Sequence, residues 1–337
     1  MALQGDFQTL ESFDGTAITY ASWGDGPALI LLNGIACSDA YWTFLVPHIT
    51  ANGFRVVFFD YRGHGRSDMP ANPNEISTPS FARDVWAVAD AAGVRDAVLL
   101  GHSYGTQVMF ETYRLDPDRC RGLVSVAGAF EHPLSGLSTV SLMRYLLAAT
   151  EAVDPMPWAT RAFWRLIGRE TRALTLFGKA TRMAGRDAPD EIMEEYFTKA
   201  SRIDPLFLFA AAREMQQHSA RDLLPEIQIP TLVLSGGNDV MTPPRVQREM
   251  VDMLPDGRLE MWEDSGHTFP VDEIDCFNER VLAFLDEIYT DDLEARRRER
   301  RAQATAVVRS DDAQKAQRVG SETTSGTPAG PASDSKG

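Results

Sequence analysis

The chain has 337 residues, 44% hydrophobic and 24% charged, a composition that fits a soluble globular protein built on one core plus an insertion or tail. A formal net charge of −15 argues against nucleic acid or an anionic membrane as the main partner, since both repel an acidic surface. Cys37, Cys120 and Cys276 are too few and too scattered for a disulfide framework or a metal site.

Residues 6–23 alternate in character around Asp14-Gly15, a strong hairpin signal. Ala28–Leu32 is a continuous apolar run, the pattern of a strand buried on both faces, and it ends at Asn33-Gly34-Ile35-Ala36. A helical segment follows with Trp42, Leu45, Val46 and Ile49 on one face. Phe54–Phe59 predicts the next buried strand. It leads into a polar, glycine-rich loop, Asp60-Tyr61-Arg62-Gly63-His64-Gly65-Arg66-Ser67-Asp68. Ser80 to Gly93 has helical periodicity and a glycine stop.

Next comes the most informative stretch. The apolar run Ala97–Leu100 stops at Gly101-His102-Ser103-Tyr104-Gly105, and Thr106–Glu111 then reads as the first turns of a helix. A G-x-S-x-G turn between strand and helix lifts the serine hydroxyl clear of the sheet and aims helix N–H groups at it. Without that flanking context, a glycine-flanked serine is an ordinary loop feature. Gly122–Ala127 is a further strand.

Alternating strands and helices imply a mostly parallel sheet covered by helices on both faces. The alternation stops after Glu131, and no buried strand is found up to Leu224. This segment is helical in texture and rich in aromatics, among them Trp158, Phe163, Phe177, Tyr196 and Phe207. It is read as a helical cap (131–224) inserted into a core formed by residues 1–130 and 225–289. The core resumes with a strand at Ile229–Ser235, a helix near Pro244–Met253, a strand at Gly257–Trp262 and a last helix at Ile274–Tyr289. Residues 290–337 hold an arginine cluster and then a Ser/Thr/Gly/Pro/Ala-rich stretch, expected to be disordered. No leader sequence or bilayer-spanning stretch is recognised, so a reduced, cytoplasmic setting is expected.

A nucleophilic Ser103 needs a base. Of the six histidines, His267 in Asp264-Ser265-Gly266-His267 stands out. It follows the last strand, at the sheet edge where catalytic loops collect. His102 adjoins Ser103 but should point away from it; His64 is expected to tie down its own loop, and His48 to be a surface or packing residue. The acid that orients the base is assigned to Asp239, in Ser235-Gly236-Gly237-Asn238-Asp239, with Glu131 as a rival and helix capping as an alternative role for Asp239. The oxyanion N–H groups are assigned to Ile35 and Tyr104, with Asn33 a candidate to steady the loop. Trp42 and Tyr104, close to these loops, are the candidate substrate-binding residues.

These stretches together resemble the α/β-hydrolase superfamily over roughly residues 8–288: Asn33-Gly34, Asp60–Ser67, Gly101–Gly105, Gly236–Asp239 and Ser265–His267. The resemblance implies the α/β-hydrolase fold with an inserted helical cap. It also implies a Ser103-Asp239-His267 triad that hydrolyses an ester through an acyl-enzyme, acting on a small-molecule, apolar substrate without metal or cofactor. The family usually has His-Gly where this chain has Asn33-Gly34. Haloalkane dehalogenases and epoxide hydrolases place Asp where this chain has Ser103, which sets those reactions aside. C–C bond hydrolases, cofactor-free perhydrolases and acyltransferases use the same triad, and a slow-turnover ligand-sensing protein that keeps it is a further alternative.

Overall fold

The computed structural model describes residues 3–133, 157–181, 184–185 and 188–293. Contacts divide the chain into two compact units, Met1–Ile288 and Tyr289–Gly337. In the second, the described residues 289–293 form one helical turn closed by Leu293 N–H donating to Tyr289 O at 2.9 Å. The expected disordered tail lies, from residue 294 onward, outside the described residues.

The first unit is organised by an eight-stranded sheet. Its strands are β1 (Gln8–Glu11), β2 (Ala17–Trp23), β3 (Ala28–Leu32), β4 (Arg55–Phe59), β5 (Ala97–His102), β6 (Cys120–Val126), β7 (Thr231–Gly236) and β8 (Gly257–Trp262). They lie in the order β1-β2-β4-β3-β5-β6-β7-β8. The β1–β2 and β2–β4 pairs are antiparallel and all the others parallel. The β1–β2 turn closes at Asp14-Gly15, where Gly15 takes φ 85°. Strands β3, β5 and β7 are buried along their whole length, as their apolar runs require, whereas edge strands β1 and β8 are partly exposed.

Two helical layers follow from the pleat. Alternate residues Ile30, Leu32, Val57, Phe59 and Leu99 share one cluster with Phe81 and Val85 of α2 (Thr78–Ala91) and Val108 and Met109 of α3 (Tyr104–Leu115). On the other face, α1 (Leu45–Ala51) packs on the last helix, Ile274–Ile288, which also reaches β6. Trp42 closes a short 3-10 turn, Asp39–Trp42, ahead of α1.

Between β6 and β7 the described residues form four helices: α4 (Pro157–Ile167), α5 (Thr171–Ala180), α6 (Asp190–Ala200) and α7 (Pro205–Gln217). Phe207 of α7 is buried against the core, whereas Trp158, Phe163 and Phe177 are exposed. Helices α8 (Pro244–Met253), α9 (Phe269–Asp272) and α10 (Ile274–Ile288) complete the unit. Among the described residues no helix is long and apolar enough to cross a membrane.

Candidate functional site

Ser103 sits at the turn between β5 and α3 with φ 53° and ψ −116°, a conformation few L-residues adopt. Two glycines permit it. A Cβ at Gly101 would collide with the Gly105 carbonyl, and one at Gly105 would collide with the Leu32 and Asn33 carbonyls. The turn is pinned by Ser103 N–H donating to Val126 O at 2.9 Å and by Thr106 Oγ1 donating to Gly101 O at 2.9 Å.

The loops after β7 and β8 meet Ser103 at the carboxyl edge of the sheet. His267 Nε2 lies 3.2 Å from Ser103 Oγ, and His267 Nδ1 lies 2.8 Å from Asp239 Oδ2. Asp239 Oδ1 accepts from Met241 N–H at 2.8 Å and Thr242 N–H at 2.9 Å, so the carboxylate also caps the turn that leads to α8. The helix itself is capped by Pro243 with no side-chain bond, so Asp239 holds the preceding turn rather than the helix N-terminus expected as its alternative role. The two loops are stitched together by Gly237 N–H to Trp262 O, 2.8 Å, and Asn238 N–H to Ser265 O, 2.9 Å. Glu131, the rival acid, is taken up elsewhere: it accepts from Ser219 Oγ at 2.7 Å and Arg221 Nε at 3.0 Å.

The loop after β3 runs alongside. A Cβ on Gly34 would sit 3.2 Å from Ser103 Cβ and 3.0 Å from His102 Nδ1, closer than ordinary contact, so glycine lets this backbone lie against the serine without crowding. Asn33 is buried and its Oδ1 accepts from Trp42 Nε1 at 2.6 Å, which ties the loop to the 3-10 turn. Tyr104 is the first residue of α3, where an N–H has no intrahelical acceptor. Ile35 N–H has no protein acceptor among the described residues.

The side chains of Trp42 and Tyr104 require a correction. They are 0% and 1% exposed, so neither offers a surface to a ligand. Trp42 spends its indole N–H on Asn33, and Tyr104 Oη lies 3.1 Å from Thr78 Oγ1 inside the core. Both residues lie close in sequence to the loops after β3 and β5, but their side chains turn inward.

Three residues around the site escaped the sequence reading, and His102 was read without its partners. Thr242 Oγ1 lies 2.7 Å from Asp239 Oδ2, and Gln247 Nε2 donates to Thr242 O at 2.8 Å. The only signal was the Asp-x-x-Thr spacing of a local turn. The His102 ring lies 5.3 Å from that of His267, and its Nε2 lies 3.0 Å from Tyr41 Oη. Burial first, and then the neighbouring His267, hold His102 well below the usual histidine pKa, so it is neutral. Nothing in the sequence announced Tyr41.

A cleft of about 440 Å³ opens nearby, lined by Asp39, Asp60, His64, Arg66 and Lys199 among others. Within it Arg66 bridges Asp39 at 2.8 Å and Asp60 at 2.7 Å, and Lys199 of α6 pairs with Asp39. Among the described residues no group of three or more His, Cys, Asp or Glu side chains is arranged to hold a metal.

Residues 27–273 match the family described as the alpha/beta hydrolase fold. The chain is 23% identical over 299 residues to bifunctional epoxide hydrolase 2 of Mus musculus, covering 80% of this chain but 54% of that protein, so it spans about half that relative's length. It is 25% identical over 279 residues to RutD of Azorhizobium caulinodans, provisionally a carbamate hydrolase, covering 80% of this chain and 95% of that one. Among solved structures, the esterase RhEst1 from Rhodococcus sp. ECU1013 superposes with a TM-score of 0.68 at 24% identity, over 84% of this chain and 99% of that one. A likeness at that identity speaks for the fold alone.

Proposed function

Since the chain belongs to the α/β-hydrolase fold family, and hydrolysis is the activity its relatives are named for, we propose that it is a serine hydrolase of carboxylic esters. The observation that carries this reading is the continuous chain Ser103 Oγ–His267–Asp239, with steps of 3.2 and 2.8 Å.

In the proposed cycle His267 Nε2 takes the Ser103 proton as Oγ attacks the ester carbonyl. Asp239 holds the imidazole in the tautomer with Nδ1 protonated and offsets the charge that forms on the ring. The N–H groups of Ile35 and Tyr104 receive the oxyanion, helped by the positive end of α3. His267 then protonates the leaving alcohol, and a water activated by the same ring releases the acid from Ser103. No step calls for a metal or cofactor. Epoxide opening, the chemistry named for the murine relative, is set aside because Ser103 stands where such enzymes carry Asp.

Helices α4–α7 are read as a cap over the core, and its aromatic residues favour an apolar acyl or alkyl group. The free Cys37, Cys120 and Cys276 fit a reducing, cytoplasmic setting. A panel of p-nitrophenyl esters of graded acyl length, with lactones and thioesters alongside, tests the reading on wild type and Ser103→Ala. Multiple turnovers lost in the variant support it. Saturable binding without turnover points instead to a ligand sensor.

A further inference from the structure

His64 belongs to the loop after β4, and its ring reaches across to the loop after β3. Its Nε2 accepts the Ala36 N–H at 3.2 Å, and its Nδ1 lies 3.1 Å from Arg62 O. A neutral imidazole with the proton on Nδ1 satisfies both contacts, accepting from Ala36 and donating to Arg62. The ring is 3% exposed and lies against the edges of Tyr61, Phe81 and, from α7, Phe207. Burial there brings its pKa down to about 4, which keeps the acceptor available at neutral pH.

Ala36 is the residue next to the proposed oxyanion donor. It takes φ 60°, in the left-handed region that an alanine does not enter without cause. Cys37 N–H donates to Gly34 O at 3.1 Å, so Gly34–Cys37 is a four-residue turn with the positive φ at its third position, as in type II. Two constraints act on this turn. In a trans peptide the C=O and N–H point opposite ways. Gly34 C=O is turned inward to Cys37, so the Ile35 N–H of the same peptide is turned outward, and Gly34 itself lies against Ser103. The next peptide, Ile35–Ala36, is the one that flips between the type I and type II forms of such a turn, and its N–H is the group His64 holds.

We propose that His64 is a positioning residue for the oxyanion hole: by accepting the Ala36 N–H it holds the central peptide of the Gly34–Cys37 turn, and so keeps in place the turn whose outward Ile35 N–H serves as the donor beside Ser103. The inference rests on the esterase reading of Ser103. It predicts a loss of transition-state stabilisation with little change in substrate binding. His64→Leu fills the same apolar cage without an acceptor. His64→Gln brings an amide oxygen to the place of Nε2 and restores one.

The experiment measures kcat and KM for a p-nitrophenyl ester, the rate of covalent labelling by a serine-reactive phosphonate, and the melting temperature. Wild type, both His64 variants and Ser103→Ala are compared. His64→Leu is expected to lower kcat and the labelling rate together by about 10- to 100-fold, a part of what losing one oxyanion donor costs, with KM within about twofold. His64→Gln is expected to regain most of the loss. A folded His64→Leu that keeps wild-type kcat while Ser103→Ala is dead overturns the proposal and leaves the esterase reading standing. So does equal impairment of Leu and Gln variants with matching losses of stability. Activity retained by Ser103→Ala overturns the esterase reading itself.

Discussion

Thr242 Oγ1 stands 2.7 Å from Asp239 Oδ2, the same oxygen that lies 2.8 Å from His267 Nδ1. Thr242 also reaches Ala127 O at 2.8 Å, and its single hydroxyl proton serves one acceptor at a time. With two backbone N–H groups on Oδ1, Asp239 is held at both oxygens and cannot swing away from the imidazole. Orientation of His267 is therefore built into the turn that begins α8.

Asp239→Asn keeps the shape of that turn but replaces an acceptor oxygen with an amide or leaves a neutral oxygen, so the imidazole loses its tautomer and its counter-charge. Turnover is expected to fall by about four orders of magnitude. Glu131→Gln, which removes charge from a pair formed with Arg221 away from His267, is expected to leave turnover within about twofold. Steady-state kinetics on one ester decides it, and the reverse ranking would reassign the acid.

The backbone of Ser103 separates chemistry from stability. Ser103→Ala is expected to abolish hydrolysis but to leave the residue at φ 53°, so the melting temperature is expected to stay nearly unchanged. Ser103→Gly is expected to be equally inactive, yet glycine relaxes in that region, and a gain of about 1 kcal/mol is expected. Chemical denaturation of the three proteins reads this out. A glycine variant less stable than the alanine variant would show the turn to be unstrained.

Much of this was legible in the chain because parallel strands advertise themselves. Ala28–Leu32 and Ala97–Leu100 are apolar throughout, and a strand buried on two faces has no other way to read. The G-x-S-x-G stretch was legible for a related reason, since its glycines mark carbonyls that no side chain can pass. What stayed hidden were directions and partners set by tertiary packing. Trp42 and Tyr104 lie near the right loops, but the buried Asn33 and Thr78 draw their polar atoms inward. Tyr41 meets His102 across 61 residues of chain, and His64 meets Ala36 across 28, contacts that no local pattern encodes.

Acid is expected to weaken the fold through its buried histidines. His64 titrates near pH 4 in the folded chain and His102 well below its ordinary value, whereas both take up protons near pH 6.5 once unfolded. Below pH 6.5 the unfolded chain thus binds protons that the folded chain refuses, and stability falls as pH drops. For His64 the stabilisation is complete above pH 6.5 and is lost progressively down to about pH 4, about 3 kcal/mol in all. Comparing wild type with His64→Leu isolates this share. The variant's stability is expected to fall less steeply over that window, and parallel curves would mean that His64 is protonated in the folded chain.

The loop that carries His64 is anchored from below by Arg62, and that anchor sets the last expectation. The guanidinium is fully buried and forks onto Asp84 of α2, Nε to Oδ2 and Nη2 to Oδ1, both at 2.7 Å, while Nη1 reaches Asp14 of the β1–β2 turn at 2.9 Å. One cation thus joins the hairpin, α2 and the glycine-rich loop. Asp84→Ala leaves that cation in a dry site with half its partners, and breaking a buried pair in this way costs about 3 to 5 kcal/mol. The loss is expected as a drop in melting temperature on the order of 10 °C. The pair Arg62→Met/Asp84→Leu removes both charges and is expected to be more stable than Asp84→Ala alone, because the penalty lies in the stranded charge rather than in the missing contact. A double variant no better than the single one would mean that the fork itself, and not the buried charge, holds the loop in place.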